Sequence, residues 1–155
     1  MTQQKYYTLT RKMIILPESK INEIAELLDC GFRCFINRHS FEMISIPDTL
    51  KHSSIDTDAW QTENNELDKN YDDYLEIEPL ESSESFKIME NFIETIEDSN
   101  KLKKQLYQSI NKKHPFRNFK EIIDNSGMFR QKWFDFKSTK IKEWVITKIN
   151  IENSS

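Results

Sequence analysis

Apolar residues first recur at helical spacing directly after Pro17 and Glu18. Proline is favourable in the first turn of a helix, so the helix should begin near Pro17. A glycine just past the last apolar residue can adopt the left-handed backbone conformation that caps a helix, so the helix should end at Gly31. The apolar positions on the predicted face are Ile21, Ile24, Leu27 and Leu28. The pattern therefore predicts one short amphipathic helix near the amino terminus.

After Gly31 the pattern changes from helical spacing to alternation. Two segments of strand length follow, residues 32–37, FRCFIN, and residues 43–47, MISIP. Their apolar side chains alternate with polar ones or follow each other directly, and the two segments together predict a β-hairpin. A third strand is expected in YLEIEP. It should end at Pro79, because proline has no N–H to donate to a neighbouring strand. The amino half thus predicts three short strands.

A polar, acidic excursion of about residues 48–73 separates the hairpin from the third strand. Trp60, Leu67 and Tyr71 recur at spacings compatible with one helical face. We therefore expect a weak helix after Thr57 within an otherwise irregular segment.

The carboxyl half returns to helical spacing in a run of short segments. A last helix is expected after Ser138 or Thr139, and residues 150–155 are expected to fray. The predicted starts of the preceding helices are Ser82 and Ser99 as caps and Pro115 as a first-turn residue.

Strands in the amino half and helices in the carboxyl half predict an α+β fold. We expect a small antiparallel sheet, a hairpin plus a third strand, packed with a carboxyl-terminal set of short helices. A chain of 155 residues fits a single domain spanning 1–155. The amino-terminal residues lack a signal-peptide core or a membrane span, so we expect a cytoplasmic protein with no membrane partner.

Charges are segregated along the chain. Residues 55–98 carry 15 acidic and 2 basic side chains, a net charge of −13, whereas residues 99–148 carry 13 basic and 4 acidic side chains, a net charge of +9. The overall charge of −4 hides this division. Such asymmetry indicates either a surface for a polyanion or partial neutralisation within the chain.

The stretch of residues 114–137 mixes aromatic rings with basic side chains, a mixture found both in stacking surfaces and in helical cores. Phe116 and Phe119 share a helical face with two isoleucines, which predicts core rings rather than a stacking platform. Two ion pairs are expected at a spacing of four, Arg117 with Glu121 and Lys120 with Asp124.

The basic residues that no predicted ion pair explains are our candidates for contacts with a polyanion. The lysines of residues 100–112 lie opposite an apolar stripe, so their face should be solvated. Arg130 and Lys132 lack an opposite charge at a spacing of four within their segment and flank Trp133, although cation–π packing would also explain them. The candidates for binding RNA or another polyanion are Lys101, Lys104, Lys112, Arg130 and Lys132.

The alternative is an adaptor that binds a basic protein partner through rings in the acidic segment, with Trp60, Tyr71 and Tyr74 as candidates. An enzyme ranks third, because no catalytic constellation and no metal or cofactor motif is recognisable. Only two glycines are present, which excludes P-loop and dinucleotide-binding turns. The two cysteines are expected to be reduced thiols packed as small apolar groups.

The order of motifs over roughly residues 18–148 resembles the bacterial Uncharacterised Protein Family zero-one-five-eight. The chain departs from that pattern at Lys113, His114 and Pro115, where glycines are expected. The resemblance implies a small cytosolic α+β protein and implies no particular activity. The matching positions are Ser82, Phe86, Met89, Phe92, Ile93, Leu106, Ile110, Phe116, Arg117, Phe119, Lys120, Trp133 and Phe136.

Overall fold

The computed structural model describes residues 12–48 and 57–155. These residues form two compact units. The first unit contains the described residues up to Pro79 together with Lys142–Ser155, and the second contains Leu80–Ile141. That the chain of 1–155 folds as a single domain stays a prediction.

Helix α1, Glu18–Asp29, begins and ends as the sequence predicts. Pro17 precedes it in an extended conformation, and Glu18 places a carboxylate in the first turn, where the helix dipole favours negative charge. Gly31 has a φ of 83° and donates its N–H to the carbonyl of Leu28, which ends the helix. A side chain at this backbone geometry would be strained, so glycine has a structural role here.

The sheet contains β1, Phe32–Asn37, β2, Met43–Pro47, and β3, Tyr74–Ile77, in the order β2-β1-β3. Both pairings are antiparallel, with Phe35 opposite Ile44 of β2 and opposite Glu76 of β3. The predicted hairpin and third strand are therefore confirmed. Because β1 lies in the centre, Cys34, Phe35 and Ile36 are all buried, and both of its faces are covered.

Each face of the sheet carries a helix. Phe35 packs with Ile46 and with Leu67 of α2, Gln61–Asn70, while Cys34 and Ile36 point to the other side. Helix α1 contacts β1 and buries Ile24, Ala25 and Leu28. The helix expected after Thr57 in the acidic excursion is thus confirmed as α2, and it is preceded by one 3₁₀ turn, Thr57–Trp60. The part of the excursion at 49–56 lies outside the described residues.

The second unit contains α3, Ser82–Glu94, α4, Lys101–Ile110, α5, Pro115–Asp124, and the first half of α6, Met128–Ser154. Its core is a ring cluster around Phe92, whose ring centroid lies 5.3 Å from that of Trp133 and 6.5 Å from that of Phe119. Phe119 and Trp133 meet edge to face at 4.8 Å. Aromatic pairs in this geometry add about 0.5–1.5 kcal/mol each beyond their buried area.

Phe116 corrects the prediction that both phenylalanines of α5 are core rings. Phe119 is 2% exposed, whereas Phe116 is 43% exposed and makes one edge contact with Phe86 at 6.5 Å. The helical period explains the difference, because a shift of three residues moves a side chain by about 60° around the axis. Phe116 therefore lies at the rim of the core.

The predicted caps of two helices are wrong. Ser82 is the first residue of α3 rather than its cap, and α4 is capped by Asn100, whose side-chain oxygen accepts the N–H of Leu102 at 2.9 Å. Asparagine and serine are comparable N-caps, so residues 99 and 100 could not be separated by preference alone.

The last helix is a single element of 27 residues that begins at Met128, so the predicted start at Ser138 or Thr139 is wrong. No glycine or proline interrupts residues 128–154, and Thr139 donates its hydroxyl to the carbonyl of Asp135 at 2.9 Å, a bond made inside a helix.

Carboxyl-terminal residues of α6 make side-chain contacts, and that residues 150–155 fray stays a prediction. In the first unit Asn153 accepts the N–H of Ile14 at 2.8 Å and donates to its carbonyl at 2.9 Å. Glu152 forms an ion pair with Arg38. These bonds tie the end of α6 to the start of the described chain.

The architecture is α+β, with a three-stranded antiparallel sheet and a mostly helical carboxyl half. Within residues 12–48 and 57–155, the structure contains no helix with the length and apolar character needed to cross a membrane.

Candidate functional site

Helix α4 separates an apolar face from a basic one. Leu106, Ser109 and Ile110 are buried in the second unit. Lys101, Lys104 and Gln108 are exposed on the opposite side, as the period of 3.6 residues requires. The two lysines predicted on this helix therefore lie on its solvated face.

The link from α4 to α5 adds further cations at the end of this face. Lys112 and Lys113 are exposed, and His114 adopts a left-handed conformation with a φ of 60° directly before α5. The amide of Asn118 donates to the carbonyls of Ser109 at 3.2 Å and Lys113 at 2.8 Å. These bonds fix the link against both helices.

We define the α4–α5 basic face as the exposed cations Lys101, Lys104, Lys112, Lys113 and Arg117. Among the residues described by the structure, none offers an ion-pair or hydrogen-bond partner to these five side chains. As far as residues 12–48 and 57–155 are concerned, each of these cations is exposed to solvent and has no internal partner.

One of the two ion pairs predicted on α5 is confirmed and the other is not found among the described residues. Lys120 donates to Asp124 at 2.7 Å, as predicted, whereas Arg117 makes no ion pair with Glu121 or with another residue in the described ranges. An exposed pair of this kind contributes only about 0.3–0.5 kcal/mol, too little to hold two long side chains in one geometry. Arg117 therefore belongs to the basic face, which the sequence reasoning missed.

An open cleft of about 790 Å³ runs along this side of α4. Lys104 and Lys112 line it, together with the half-buried ring of Tyr107 and the exposed amide of Gln108. The remaining lining residues are Asp98, Lys103 and Asn111. Cations, an amide and a ring thus meet at one concave surface.

One cation of the cleft is already compensated. Lys103 donates to Asp98 at 2.6 Å, and this hydrogen bond lowers the pKa of Asp98 and raises the pKa of Lys103. The Asp98 side chain is 94% exposed, so its charge is well solvated despite the bond. In the same unit, hydrogen bonds from Lys120 and then Arg130 lower the pKa of Asp124.

Arg130 and Lys132, the other predicted contacts, have partners. The Nε of Arg130 donates to Asp124 at 3.4 Å, and its guanidinium lies 4.6 Å from the ring centroid of Phe134. The ammonium of Lys132 lies 5.0 Å from the ring centroid of Phe129. Packing on rings, the alternative weighed for these residues, is therefore what the structure shows.

The same arrangement recurs along the first half of α6. Cations at positions three or four residues from a ring lie within reach of its face, which is the spacing of neighbours on a helix. The further pairs are Lys137 with Trp133 at 5.8 Å and Lys140 with Phe136 at 5.6 Å. The mixture of rings and basic residues in 114–137 is thus largely explained by packing.

The rings of the acidic segment differ in exposure. Trp60 and Tyr74 are half-buried and pack against the cluster of Phe35, Ile46 and Leu67, and Tyr74 also donates its hydroxyl to Glu66 at 3.1 Å. Tyr71 is 56% exposed. Of the three predicted partner-binding rings, only Tyr71 presents most of its surface to solvent.

Metal-ligand clusters and thiols are two features that could support catalysis within the described ranges 12–48 and 57–155. These ranges contain no cluster of three or more histidine, cysteine or carboxylate side chains that could hold a metal ion. Burial raises the pKa of Cys34 to about 12, so this thiol stays protonated and is a poor nucleophile. Cys30 is exposed, which corrects the expectation that both thiols are packed inside.

A family model matches residues 10–154. Neither the curated proteins nor the solved structures contain a match to the chain. The family match spans almost the whole sequence and both compact units, and the chain belongs to the Uncharacterised protein family (UPF0158).

Proposed function

We propose that the chain is a non-enzymatic binding module whose α4–α5 basic face contacts RNA or another polyanion. The observation that carries the proposal is the absence of ion-pair partners, within the described chain, for all five exposed cations of this face. A phosphate that approaches them displaces only counterions and water, and no internal bond has to break.

The local charge supports the same conclusion. Residues 101–120 contain seven lysine and arginine side chains and no aspartate or glutamate. Asp98 compensates Lys103 and Asp124 compensates Lys120, which leaves the five cations of the α4–α5 basic face as a local excess of positive charge that attracts polyanions and speeds their association. Lys104 and Lys112 also line the same open, shallow cleft.

The experiment is a salt series in which fluorescence anisotropy follows the binding of a labelled RNA. Each phosphate contact to a single strand contributes about −0.7 to the slope of log affinity against log salt, so five contacts predict a slope of about −3.5. A variant with all five cations of the α4–α5 basic face changed to glutamine should lose most of this slope. No retention of RNA at low ionic strength by the unaltered chain would overturn the proposal.

A second candidate function is an adaptor that binds a basic protein partner through the acidic segment. The observation that favours it is the exposed ring of Tyr71, which directly precedes Asp72 and Asp73. A lysine-rich probe peptide should bind the chain and lose affinity in Tyr71→Ala. Equal binding by both forms would contradict this candidate.

A further inference from the structure

We infer that the cleft of α4 selects single-stranded nucleic acid and holds one unstacked base against Tyr107. This inference rests on the proposed polyanion-binding function and names the class of ligand. The inference follows from two other side chains that line the cleft, the ring of Tyr107 and the amide of Gln108.

Tyr107 is the first part of the argument. Its ring is half-buried and lines the cleft, and its hydroxyl makes no hydrogen bond to any residue in 12–48 or 57–155. A partly buried tyrosine keeps one face of its ring and its polar hydroxyl accessible to a ligand. A ring beside unpaired cations is instead the arrangement on which bases of a single strand stack.

Polar groups near the ring match a nucleotide. The amide of Gln108 is exposed and unbonded within the described part of the chain, and it offers both donors and an acceptor to a base edge. The amide nitrogen of Asn111 donates to the carbonyl of Tyr107 at 2.8 Å, which holds the end of α4 in place. Recognition of the base would therefore fall on Gln108.

The lysines stand at both ends of this group. Lys104 lies on α4 and Lys112 in the link just beyond its end, with Gln108 midway between them in sequence, and all three line the cleft. Their flexible side chains can therefore reach phosphates on either side of a base held at Tyr107. Lys103 contributes less, because Asp98 already compensates its charge.

A double helix fits this surface poorly. Bases in a duplex are stacked on each other, so their faces are closed to a tyrosine ring, and the major groove of duplex RNA is too deep and narrow for side chains to read. The open cleft leaves the ring of Tyr107 accessible to a single unstacked base.

The test compares three probes by anisotropy at one low salt concentration: a single-stranded oligouridylate, an RNA duplex of the same length, and heparin, a polyanion without bases. The single strand should bind about tenfold more tightly than the duplex. Tyr107→Leu should weaken single-strand binding by about fivefold to hundredfold, the usual effect of removing one stacked base, and leave heparin binding within twofold.

Two variants control for folding. Tyr107→Phe keeps the ring and should bind the single strand within twofold of the unaltered chain. Phe116→Leu removes another partly exposed ring of the same unit that lies outside the cleft, and it should change nothing. The same sequence made of DNA should also bind, because stacking and phosphate contacts do not need the 2′-hydroxyl.

The outcomes separate this inference from the proposed function. Equal binding of all three probes, with Tyr107→Leu indistinguishable from the unaltered chain, would overturn the single-strand inference and leave polyanion binding standing. Failure of every probe to bind would remove the proposed function and this inference with it.

Discussion

The α4–α5 basic face and the first half of α6 are both basic, both belong to the second unit, and both contain aromatic rings. They differ in what surrounds each cation. On the α4–α5 basic face the five charges lack partners among the described residues, whereas on α6 Arg130, Lys132 and Lys137 lie over rings of their own helix. Positive charge alone therefore does not define a binding surface, because a cation already satisfied within the protein has less to offer a ligand.

The rings of the two regions differ in the same way. Trp133 of α6 is 8% exposed and contacts two phenylalanine rings in the core. Tyr107 of α4 lines an open cleft. This difference underlies our proposal that the buried rings of α6 stabilise the fold, whereas the ring of α4 contacts a ligand.

The largest expected effect is a difference in the free energy of unfolding between variants of Trp133 and of Tyr107. Trp133→Ala should lower the free energy of unfolding by about 3–5 kcal/mol, because it leaves a cavity between Phe92 and Phe119. Tyr107→Leu should lower it by about 1 kcal/mol or less, since the ring is only half-buried. Urea unfolding followed by circular dichroism measures both values. Similar decreases in the two variants would contradict the division of roles.

The next effect compares two matched sets of cations. Changing Lys104, Lys112 and Arg117 together to glutamine should reduce RNA affinity at low salt by about tenfold to thirtyfold, because three side chains can no longer neutralise a phosphate. The matched set changes the α6 cations Arg130, Lys132 and Lys137 to glutamine.

The matched set removes the same net charge, and its affinity should stay within threefold of the unaltered chain. It should instead lower the free energy of unfolding by about 0.5–1 kcal/mol for each cation–π pair that it removes. If both sets weaken RNA binding equally, total charge rather than the α4–α5 basic face governs affinity.

A gain of affinity is expected from Asp98→Asn. The change removes a carboxylate from the cleft and frees Lys103, so RNA affinity at low salt should rise by about threefold. Anisotropy measures the gain, and Asp124→Asn is the control, because Asp124 pairs with Lys120 and Arg130 and does not line the cleft. A drop in affinity in Asp98→Asn would show that this carboxylate takes part in binding.

The smallest effect is the pH dependence of the Asp98–Lys103 pair. The hydrogen bond from Lys103 lowers the pKa of Asp98 below its ordinary value of 3.8. A lowered carboxyl pKa in the folded state stabilises the protein above pH 3.8, and this contribution disappears as the pH falls through the lowered value. An NMR titration should find the pKa of Asp98 below 3.8 and closer to 3.8 in Lys103→Met. The same value in both forms would contradict the pairing.

Much of the fold could be predicted because periodicity reports burial. The apolar stripe before Gly31 predicted α1, and the alternation in 32–37 predicted the central strand. The ends of helices depend on small differences between neighbouring residues as caps, which explains the errors at Ser82, Ser99 and Ser138. A serine can cap a helix or lie inside it, and only the surrounding chain decides which.

The candidate site could be predicted only in part. Lys101, Lys104 and Lys112 follow from the amphipathic pattern of α4, because opposite faces of a helix are fixed by its period. Arg117 was missed because the sequence shows a carboxylate four residues away but not whether the pair forms. Tyr107 was missed because its spacing assigns it to the apolar stripe of α4, and only the folded structure shows that it lines the cleft with Lys104 and Lys112.

The central claim is that ligands meet the unpartnered cations of α4 and α5 and not the satisfied ones of α6. A titration of the isotope-labelled chain with single-stranded RNA, followed by amide chemical shifts in NMR, tests it most directly. The account predicts that the largest shift changes fall within residues 101–117 and that residues 128–141 change little. Changes centred on residues 128–141, or on the acidic helix α2, would contradict it.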